Sequence, residues 1–195
     1  MANYCYFSMR VTGKKENIEE FYKVISSDYD YSTNKFSFPR HLWRIYEVNC
    51  TDIKPIKDYY YMDIWGECAW SVYCCMFEGE YTEYTERLQN GYTHGTSIIQ
   101  ETRNLNLAIE IYSDEEGEAF EEHYIVTCGH IICSEEIDTE NYYFETPEEI
   151  EEFNKNHNTN LDADYILDEC QGYYKVGGYD TFFKDLTGVI LKEEN

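Results

Sequence analysis

The chain has 195 residues, with 39 Asp or Glu against 15 Lys or Arg, so its formal net charge is −24. This length allows one domain or a domain with an appendage, and no run of 18 apolar residues predicts a membrane span. The acidity argues against direct binding to nucleic-acid phosphates or anionic membranes, and the 21 tyrosines favour a folded, aromatic-rich core over a disordered acidic tail.

The first sixty residues predict one strand, one helix and an irregular region. Aromatic and β-branched residues indicate a strand over residues 3–12, ended by Gly13. Apolar residues at helical spacing then predict a helix over residues 14–26. A turn cluster follows at residues 28–34, and we expect the stretch to about Lys57, which contains Pro39 and Pro55, to be irregular.

The middle of the chain predicts strands followed by short helices. Residues 59–65 read as a strand, which we expect Gly66 to interrupt. Residues 68–78 form an apolar run typical of a buried central strand. We expect short helices over residues 81–89 and 96–104, the first of them stopped by the Asn-Gly pair that follows.

The last third predicts a strand, a hairpin and a capped helix. Residues 107–112 alternate in hydrophobicity, which is typical of a strand. Residues 120–127 and 130–134 flank Cys128-Gly129, a pair that suits a hairpin turn. Thr146 with Glu149 has the spacing of a capping box and opens a helix to about Asn154. The order of these elements predicts an α+β fold.

Three motifs carry a resemblance to a known family. They are the opening Asn3-Tyr4-Cys5 with Val11-Thr12-Gly13, then Trp65-Gly66 with Trp70, and then Glu110-Ile111-Tyr112-Ser113 with Glu115-Glu116-Gly117, Phe120 and Glu122-His123-Tyr124. In kind and order they resemble the YubB ferredoxin-like family of Api-like phage proteins. The chain departs from that family's pattern at residues 90–100, where NGYTHGTSII stands in place of a Trp-Ser-Pro-Pro-like segment.

The resemblance implies a fold, a setting and the absence of an assigned activity. It implies a ferredoxin-like antiparallel sheet with helices on one face over residues 1–137, with an acidic helical or irregular extension over residues 138–195 packed on it. It also implies residence on phages or mobile elements, hence in the cytoplasm of a bacterial host. No secretory signal pattern opens the sequence, which agrees with that compartment and with reduced thiols. The resemblance transfers no catalytic residue.

No cofactor or metal is predicted, although two groups of residues leave alternatives open. Cys128, His130 and Cys133 provide three soft ligands within six residues, but a fourth ligand and paired Cys-x2-Cys knuckles are missing. We therefore expect the eight cysteines to be mostly small buried hydrophobes. His123 shares a strand face with Glu121, and a Cys–His nucleophile pair that meets only in space stays open.

The acidic runs are the candidate partner-binding residues. Residues 61–195 contain 31 Asp or Glu and six Lys or Arg, so nearly all of the imbalance lies there. Clustered carboxylates of this kind attract a basic surface. The predicted set is Asp114, Glu115, Glu116, Glu118, Glu121, Glu122, Glu135, Glu136, Asp138, Glu140, Glu148, Glu149, Glu151 and Glu152.

The sequence therefore favours a non-enzymatic protein that binds a basic host surface. The most specific version of this hypothesis is a nucleic-acid mimic that inhibits a defence nuclease, as an anti-CRISPR protein does. Spread evenly, the charge amounts to about one per 400 Å² of surface, whereas duplex DNA has about one per 100 Å². Mimicry therefore requires the acids to gather on one face. Two alternatives stay open: a small-ligand or enzymatic module near His94 and His123, and an accessory protein whose acidity only keeps it in solution.

Overall fold

In a computed structural model of the chain, the residues described are 4–30, 32–33, 35–42, 44–77, 95–115, 119–179 and 182–190. The chain divides into two units, which we call the core unit (Met1–Glu136 with Tyr179–Asn195) and the acidic unit (Ile137–Gly178). The predicted boundary after residue 137 lies one residue from this division. Residues 179–195, which the sequence assigned to the extension, group with the core unit.

A predominantly antiparallel sheet organises the core unit. Its spatial order is β4-β6-β1-β7-β8-β9, with β5 also paired to β6. The strand β1 pairs antiparallel with both β6 and β7, so it lies at the centre of the sheet. Two short strands, β2 and β3, form a separate pair. The strand bounds are β1 Tyr4–Gly13, β2 Tyr29–Asp30, β3 Lys35–Phe36, β4 Ile45–Cys50, β5 Lys54–Ile56, β6 Tyr59–Ala69, β7 Ala108–Glu115, β8 Phe120–Thr127 and β9 His130–Asp138.

Helices cover one face of this sheet, which confirms the predicted α+β class. They are α1 (Lys15–Ile25), α2 (Val72–Met76) and α3 (Ile98–Asn104). Each contributes buried apolar side chains to the same core as alternate residues of β1, β6, β7 and β8. Alternation along each strand explains this, because residues two apart point to the same side. Among the described residues, no helix is long and apolar enough to cross a bilayer.

The opposite face of the sheet is partly covered by the C-terminal segment of the core unit. Leu186 and Ile190 pack against Ala108 of β7 and Ile125 of β8. The hydroxyl of Thr127 donates to the backbone carbonyl of Val189 at 2.9 Å. Residues distant in sequence therefore bury polar side chains that strand alternation alone would leave in water.

Two local predictions in the middle of the chain are wrong. The segment 68–78 is not a central strand: β6 ends at Ala69, and Ser71 then caps α2 by accepting from the backbone N–H of Cys74. Between them Trp70 has a φ of 64°, which turns the chain out of the sheet. Gly66 does not interrupt β6 either. Hydrophobic runs of this length suit a buried strand and a buried helix equally, and tertiary packing decided between them.

The region expected to be irregular contains the strands β3, β4 and β5, whereas other predictions are confirmed. The first strand, the first helix, α3 and the strand beginning near residue 107 all form. β8 and β9 are neighbours joined by Cys128 and Gly129, with φ of 49° and 85°. Two consecutive positive φ angles are what a type I′ two-residue hairpin turn requires. The helix predicted over residues 81–89 lies outside the described residues.

The acidic unit is a small hairpin with a helix. It contains β10 (Glu140–Tyr143), α4 (Pro147–His157), one π-helical turn (Tyr165–Glu169) and β11 (Tyr173–Val176). β10 and β11 pair antiparallel. The predicted capping box at the start of α4 is confirmed, with Glu149 accepting from the backbone N–H of Thr146. The ring of Phe153 meets that of Tyr142 edge-on, with centroids 4.6 Å apart.

Burial of His41 makes stability depend on pH below neutrality. Its ring is 3% exposed and stacks on Phe36 with centroids 3.3 Å apart. Burial lowers the pKa of His41 from 6.5 to about 4. The unfolded chain binds this proton at a higher pH than the folded chain does. The free energy of unfolding is therefore unaffected by His41 above pH 6.5 and decreases as the pH falls from 6.5 towards 4.

We expect His41→Phe to remove part of this dependence while keeping the ring stack. Between pH 7 and pH 4.5, the loss of unfolding free energy should be about 2–3 kcal/mol smaller in the variant than in the wild type. Urea unfolding at both pH values measures this difference. His130→Gln is the matched control, because His130 is exposed. Equal pH dependence of His41→Phe and wild type would contradict the prediction.

Candidate functional site

A cluster of polar side chains lies on the face of the sheet opposite the helices. Strand alternation places Glu110 and Tyr112 of β7 on this face, and His123 of β8 beside them. Cys133 and Glu135 of β9 also contact His123. We call these five residues the His123 cluster. It joins three neighbouring strands in one site.

His123 is the centre of the cluster, with both ring nitrogens in contact with acceptors. Its Nε2 lies 3.0 Å from Oε1 of Glu110. Its Nδ1 lies 3.3 Å from Oε2 of Glu135 and 3.7 Å from Sγ of Cys133. The ring is 3% exposed and stacks on Tyr112, with centroids 4.3 Å apart and planes 7° apart. Packing and hydrogen bonds therefore fix the orientation of the imidazole.

Glu110 is a fully buried carboxylate that is satisfied by several donors. Oε2 accepts from the backbone N–H of Lys184 at 2.5 Å. Oε1 accepts from the hydroxyl of Tyr112 at 3.2 Å and contacts His123. Burial, and then the charge of Glu110, raises the pKa of Tyr112 to about 12. Tyr112 therefore keeps its proton, and donates a hydrogen bond to Glu110, throughout the physiological pH range.

The C-terminal segment of the core unit covers the side of the His123 cluster that faces away from the sheet. The ring of Tyr179 lies 5.5 Å from that of His123, and the ring of Phe183 lies 5.8 Å from that of Tyr112. The backbone N–H of Tyr179 donates to Glu121. These contacts cover His123 with aromatic rings, while Glu135 stays largely exposed at the edge. Access to the cluster from solvent is therefore on the Glu135 side.

The surroundings of Cys133 do not favour a free thiolate nucleophile, but they place its sulfur beside two other potential metal ligands. Burial raises its pKa, and the charge of Glu135 adds to this. Reactive cysteines instead have depressed pKa values, set by cationic neighbours or helix N-termini. Sγ of Cys133, Nδ1 of His123 and a carboxylate oxygen of Glu135 all lie within 4.8 Å of one another. These are three of the ligand types that bind transition metals.

Sequence reasoning found His123 but not its partners. Cys128 and His130 do not join Cys133: Cys128 contacts Asn106 instead, and His130 is exposed. A regular two-residue hairpin would place His123 opposite Ser134, with Cys133 on the other face. The observed contacts mean that the pairing departs from this register. His94 lies outside the described residues.

The predicted partner-binding acids fall into groups with different environments. Three are buried and one is half-buried, so their carboxylates do not form the outer surface of this structure: Glu115, Glu121, Glu122 and Asp114. Eight are exposed: Glu135, Glu136, Asp138, Glu140, Glu148, Glu149, Glu151 and Glu152. Glu116 and Glu118 lie outside the described residues.

Glu122 shows what the buried acids do. Its carboxylate accepts from the backbone N–H groups of Val72 and Tyr73, at the first turn of α2. It also accepts from the hydroxyls of Ser113 and Tyr124. Burial raises the pKa of Glu122, while these hydrogen bonds act in the opposite direction. Glu122 is therefore a structural link between β8 and α2.

Whereas the core unit buries several carboxylates, every Asp and Glu of the acidic unit is exposed. Residues 137–178 contain eleven Asp or Glu and two Lys, a net charge of −9 in 42 residues. This is about one net charge per five residues, against one per eight for the whole chain. All eleven carboxylate residues are exposed: Asp138, Glu140, Glu145, Glu148, Glu149, Glu151, Glu152, Asp162, Asp164, Asp168 and Glu169.

No protein-family model, curated protein or solved structure matches the chain.

Proposed function

We propose that this protein binds a cationic partner through the acidic unit, without catalysis of its own. The observation that carries the proposal is the contrast between the two units. The core unit buries several carboxylates for structural purposes, whereas the acidic unit exposes all eleven and offsets them with only two lysines. Clustered exposed charge costs stability through self-repulsion, which a binding role explains.

The first turns of α4 concentrate this charge. Glu148, Glu149, Glu151 and Glu152 fall within five residues. With a rise of about 1.5 Å per residue, these residues present roughly one carboxylate per 1.9 Å of helix axis. Duplex DNA presents one charge per ~1.7 Å. The average acidity of the chain is too dilute for mimicry, but this five-residue segment at the start of α4 approaches the linear charge density of a duplex.

Exposed tyrosines accompany the acids of this unit. Tyr143 is 68% exposed and Tyr165 is 58% exposed. Tyrosine is one of the residues that most often dominate binding energy, because its ring buries a large apolar area at little entropic cost. Acids with tyrosine anchors suit a cleft lined by Lys and Arg, whose guanidinium groups also stack on aromatic rings.

The topology of the core unit supports a ferredoxin-like fold as part of this proposal. The chain runs β1, α1, β4, β6, α3, β7, and these strands lie side by side in the order β7-β1-β6-β4. That is the fourth-first-third-second order of a βαββαβ unit, with β8 and β9 added beyond its edge. This supports the resemblance to the YubB-like family, and with it a phage or mobile-element setting in a bacterial cytoplasm. In that setting the partner we propose is a nucleic-acid-binding defence nuclease.

Neutralising α4 tests the proposal. We expect the full chain to bind purified Cas nucleases and compete with their duplex DNA at low salt, with affinity falling steeply as salt rises. The triple variant Glu148→Gln/Glu151→Gln/Glu152→Gln should bind about tenfold more weakly. Glu149 is left unchanged because it caps the helix. Fluorescence anisotropy of labelled DNA displaced from the nuclease measures both effects.

A charge-matched variant separates local from overall charge. Glu16→Gln/Asp52→Asn/Asp58→Asn removes three exposed acids of the core unit and changes the net charge equally. Its affinity should remain within twofold of the wild type. Equal weakening by both variants would show that only overall charge matters. Absence of binding at low salt would favour the alternative of an accessory protein kept in solution by its acids.

One observation favours a second candidate, a small-ligand or enzymatic module. The sequence left open a Cys–His pair without naming its cysteine, and in the structure Sγ of Cys133 lies 3.7 Å from Nδ1 of His123. The raised pKa of the Cys133 thiol argues against a thiolate nucleophile there. A binding role for this cluster is argued below.

A further inference from the structure

Three potential ligand atoms converge at the open edge of the His123 cluster. They are Nδ1 of His123, Sγ of Cys133 and a carboxylate oxygen of Glu135, all within 4.8 Å of one another. His123 is buried, Cys133 is half-buried and Glu135 is exposed. The set is rigid on its inner side and reachable from solvent on its outer side, so an ion could enter beside Glu135.

The spacing of these atoms fits a tetrahedral zinc ion. Ligand bonds of about 2.3 Å for sulfur, 2.05 Å for nitrogen and 2.1 Å for oxygen place tetrahedral N and S about 3.6 Å apart, and N and O about 3.4 Å apart. The observed separations are 3.7 Å from Nδ1 to Cys133 and 3.3 Å from Nδ1 to Glu135. Both separations measured from Nδ1 therefore agree with those of a tetrahedral zinc site, and the sulfur and the carboxylate oxygen lie within 4.8 Å of each other.

Glu110 prepares the imidazole for ligation. Its carboxylate lies 3.0 Å from Nε2 and is itself held by the backbone N–H of Lys184. With a metal ion on Nδ1, the ring proton lies on Nε2, where the carboxylate of Glu110 accepts it. This carboxylate–histidine arrangement is the usual support of a histidine ligand, because it fixes the tautomer and raises the basicity of the ring.

We propose that His123, Cys133 and Glu135 form a zinc-binding site, with Glu110 as the outer partner of the histidine. The mixed nitrogen, sulfur and oxygen set selects Zn²⁺ over Mg²⁺ or Ca²⁺, which prefer oxygen alone. Three protein ligands leave the fourth tetrahedral position to water or an external ligand. The site joins β8 to β9, and it stands independently of the acidic unit.

Zinc titration of the full chain tests the site. We expect one Zn²⁺ per chain in competition with a chromophoric chelator, with millimolar Mg²⁺ and Ca²⁺ present to occupy weak surface carboxylates. Co²⁺ should give the intense d–d bands of a tetrahedral site and a thiolate charge-transfer band. Saturating zinc should raise the Tm by roughly 5 °C or more.

Matched variants identify the ligands. Cys133→Ser and Glu135→Gln should each lower zinc affinity by at least about tenfold, and Glu110→Gln by roughly 10–100-fold. Cys170→Ser and Glu136→Gln are the controls: Cys170 is another half-buried cysteine, and Glu136 is the exposed neighbour on the other face of β9. Absence of stoichiometric zinc, or affinity unchanged in both Cys133→Ser and Glu135→Gln, would overturn the proposal. Because Glu135 is exposed, its variant tests the site even if another variant folds poorly.

Discussion

Replacement of Glu122 by alanine should lower the free energy of unfolding by roughly 3–5 kcal/mol, which is a large fraction of the stability of a domain this size. The variant removes one carboxylate and leaves four donors in the interior: the backbone N–H groups of Val72 and Tyr73 and the hydroxyls of Ser113 and Tyr124. Each unsatisfied buried donor costs about 1–3 kcal/mol. Urea unfolding followed by circular dichroism measures the loss.

Two further variants isolate the cause. Glu136→Ala removes an exposed carboxylate one strand away and should change stability by less than about 0.5 kcal/mol. Glu122→Gln keeps one acceptor oxygen but directs an amide donor at other donors, so we expect a loss between those of the other two variants. A loss below 1 kcal/mol for Glu122→Ala would show that water or rearranged side chains satisfy the four donors.

Gly66→Ala should destabilise the fold by about 3 kcal/mol or more, since it forces overlap with backbone that cannot move independently. A Cβ at Gly66 would collide with the main-chain carbonyl of Glu47 and would crowd the ring of Phe7 at 3.0 Å. The register of β4 against β6 shifts between Ile45 and Glu47, next to this contact. The glycine therefore allows the bulged edge strand to approach the central strands.

Gly188→Ala is the matched control for this prediction, because nothing lies within 4 Å of the added Cβ. Its change in unfolding free energy should stay within about 0.5 kcal/mol. Thermal unfolding of both variants beside the wild type gives the comparison. Similar Tm values for Gly66→Ala and the wild type would mean that β4 can move away without loss of packing.

The sequence predicted those elements that depend only on backbone angles and hydrogen bonds of residues close to one another in the chain. The hairpin turn at Cys128-Gly129 needs only the positive φ that these two residues adopt. The start of α4 needs only Thr146 and Glu149, which exchange hydrogen bonds three residues apart. The prediction of a central strand over residues 68–78 was wrong because contacts distant in sequence decide the structure of this segment. Its division into the end of β6 and the helix α2 depends on Glu122, which lies about fifty residues further along the chain.

The amount of acidic charge and its bias towards residues 61–195 were determined by the sequence alone, because they are sums over residue types. Only the tertiary structure separated the buried carboxylates from the exposed ones. Adjacent Glu121 and Glu122 point to opposite faces of β8, and both are buried because segments distant in sequence cover both faces. The pairing of β8 with β9, in a register that departs from a regular two-residue hairpin, brought His123 to Cys133 and Glu135. Residue types alone do not encode these contacts: those of His123 depend on the register of strand pairing, and those of Glu121 and Glu122 depend on segments about fifty residues away in the chain.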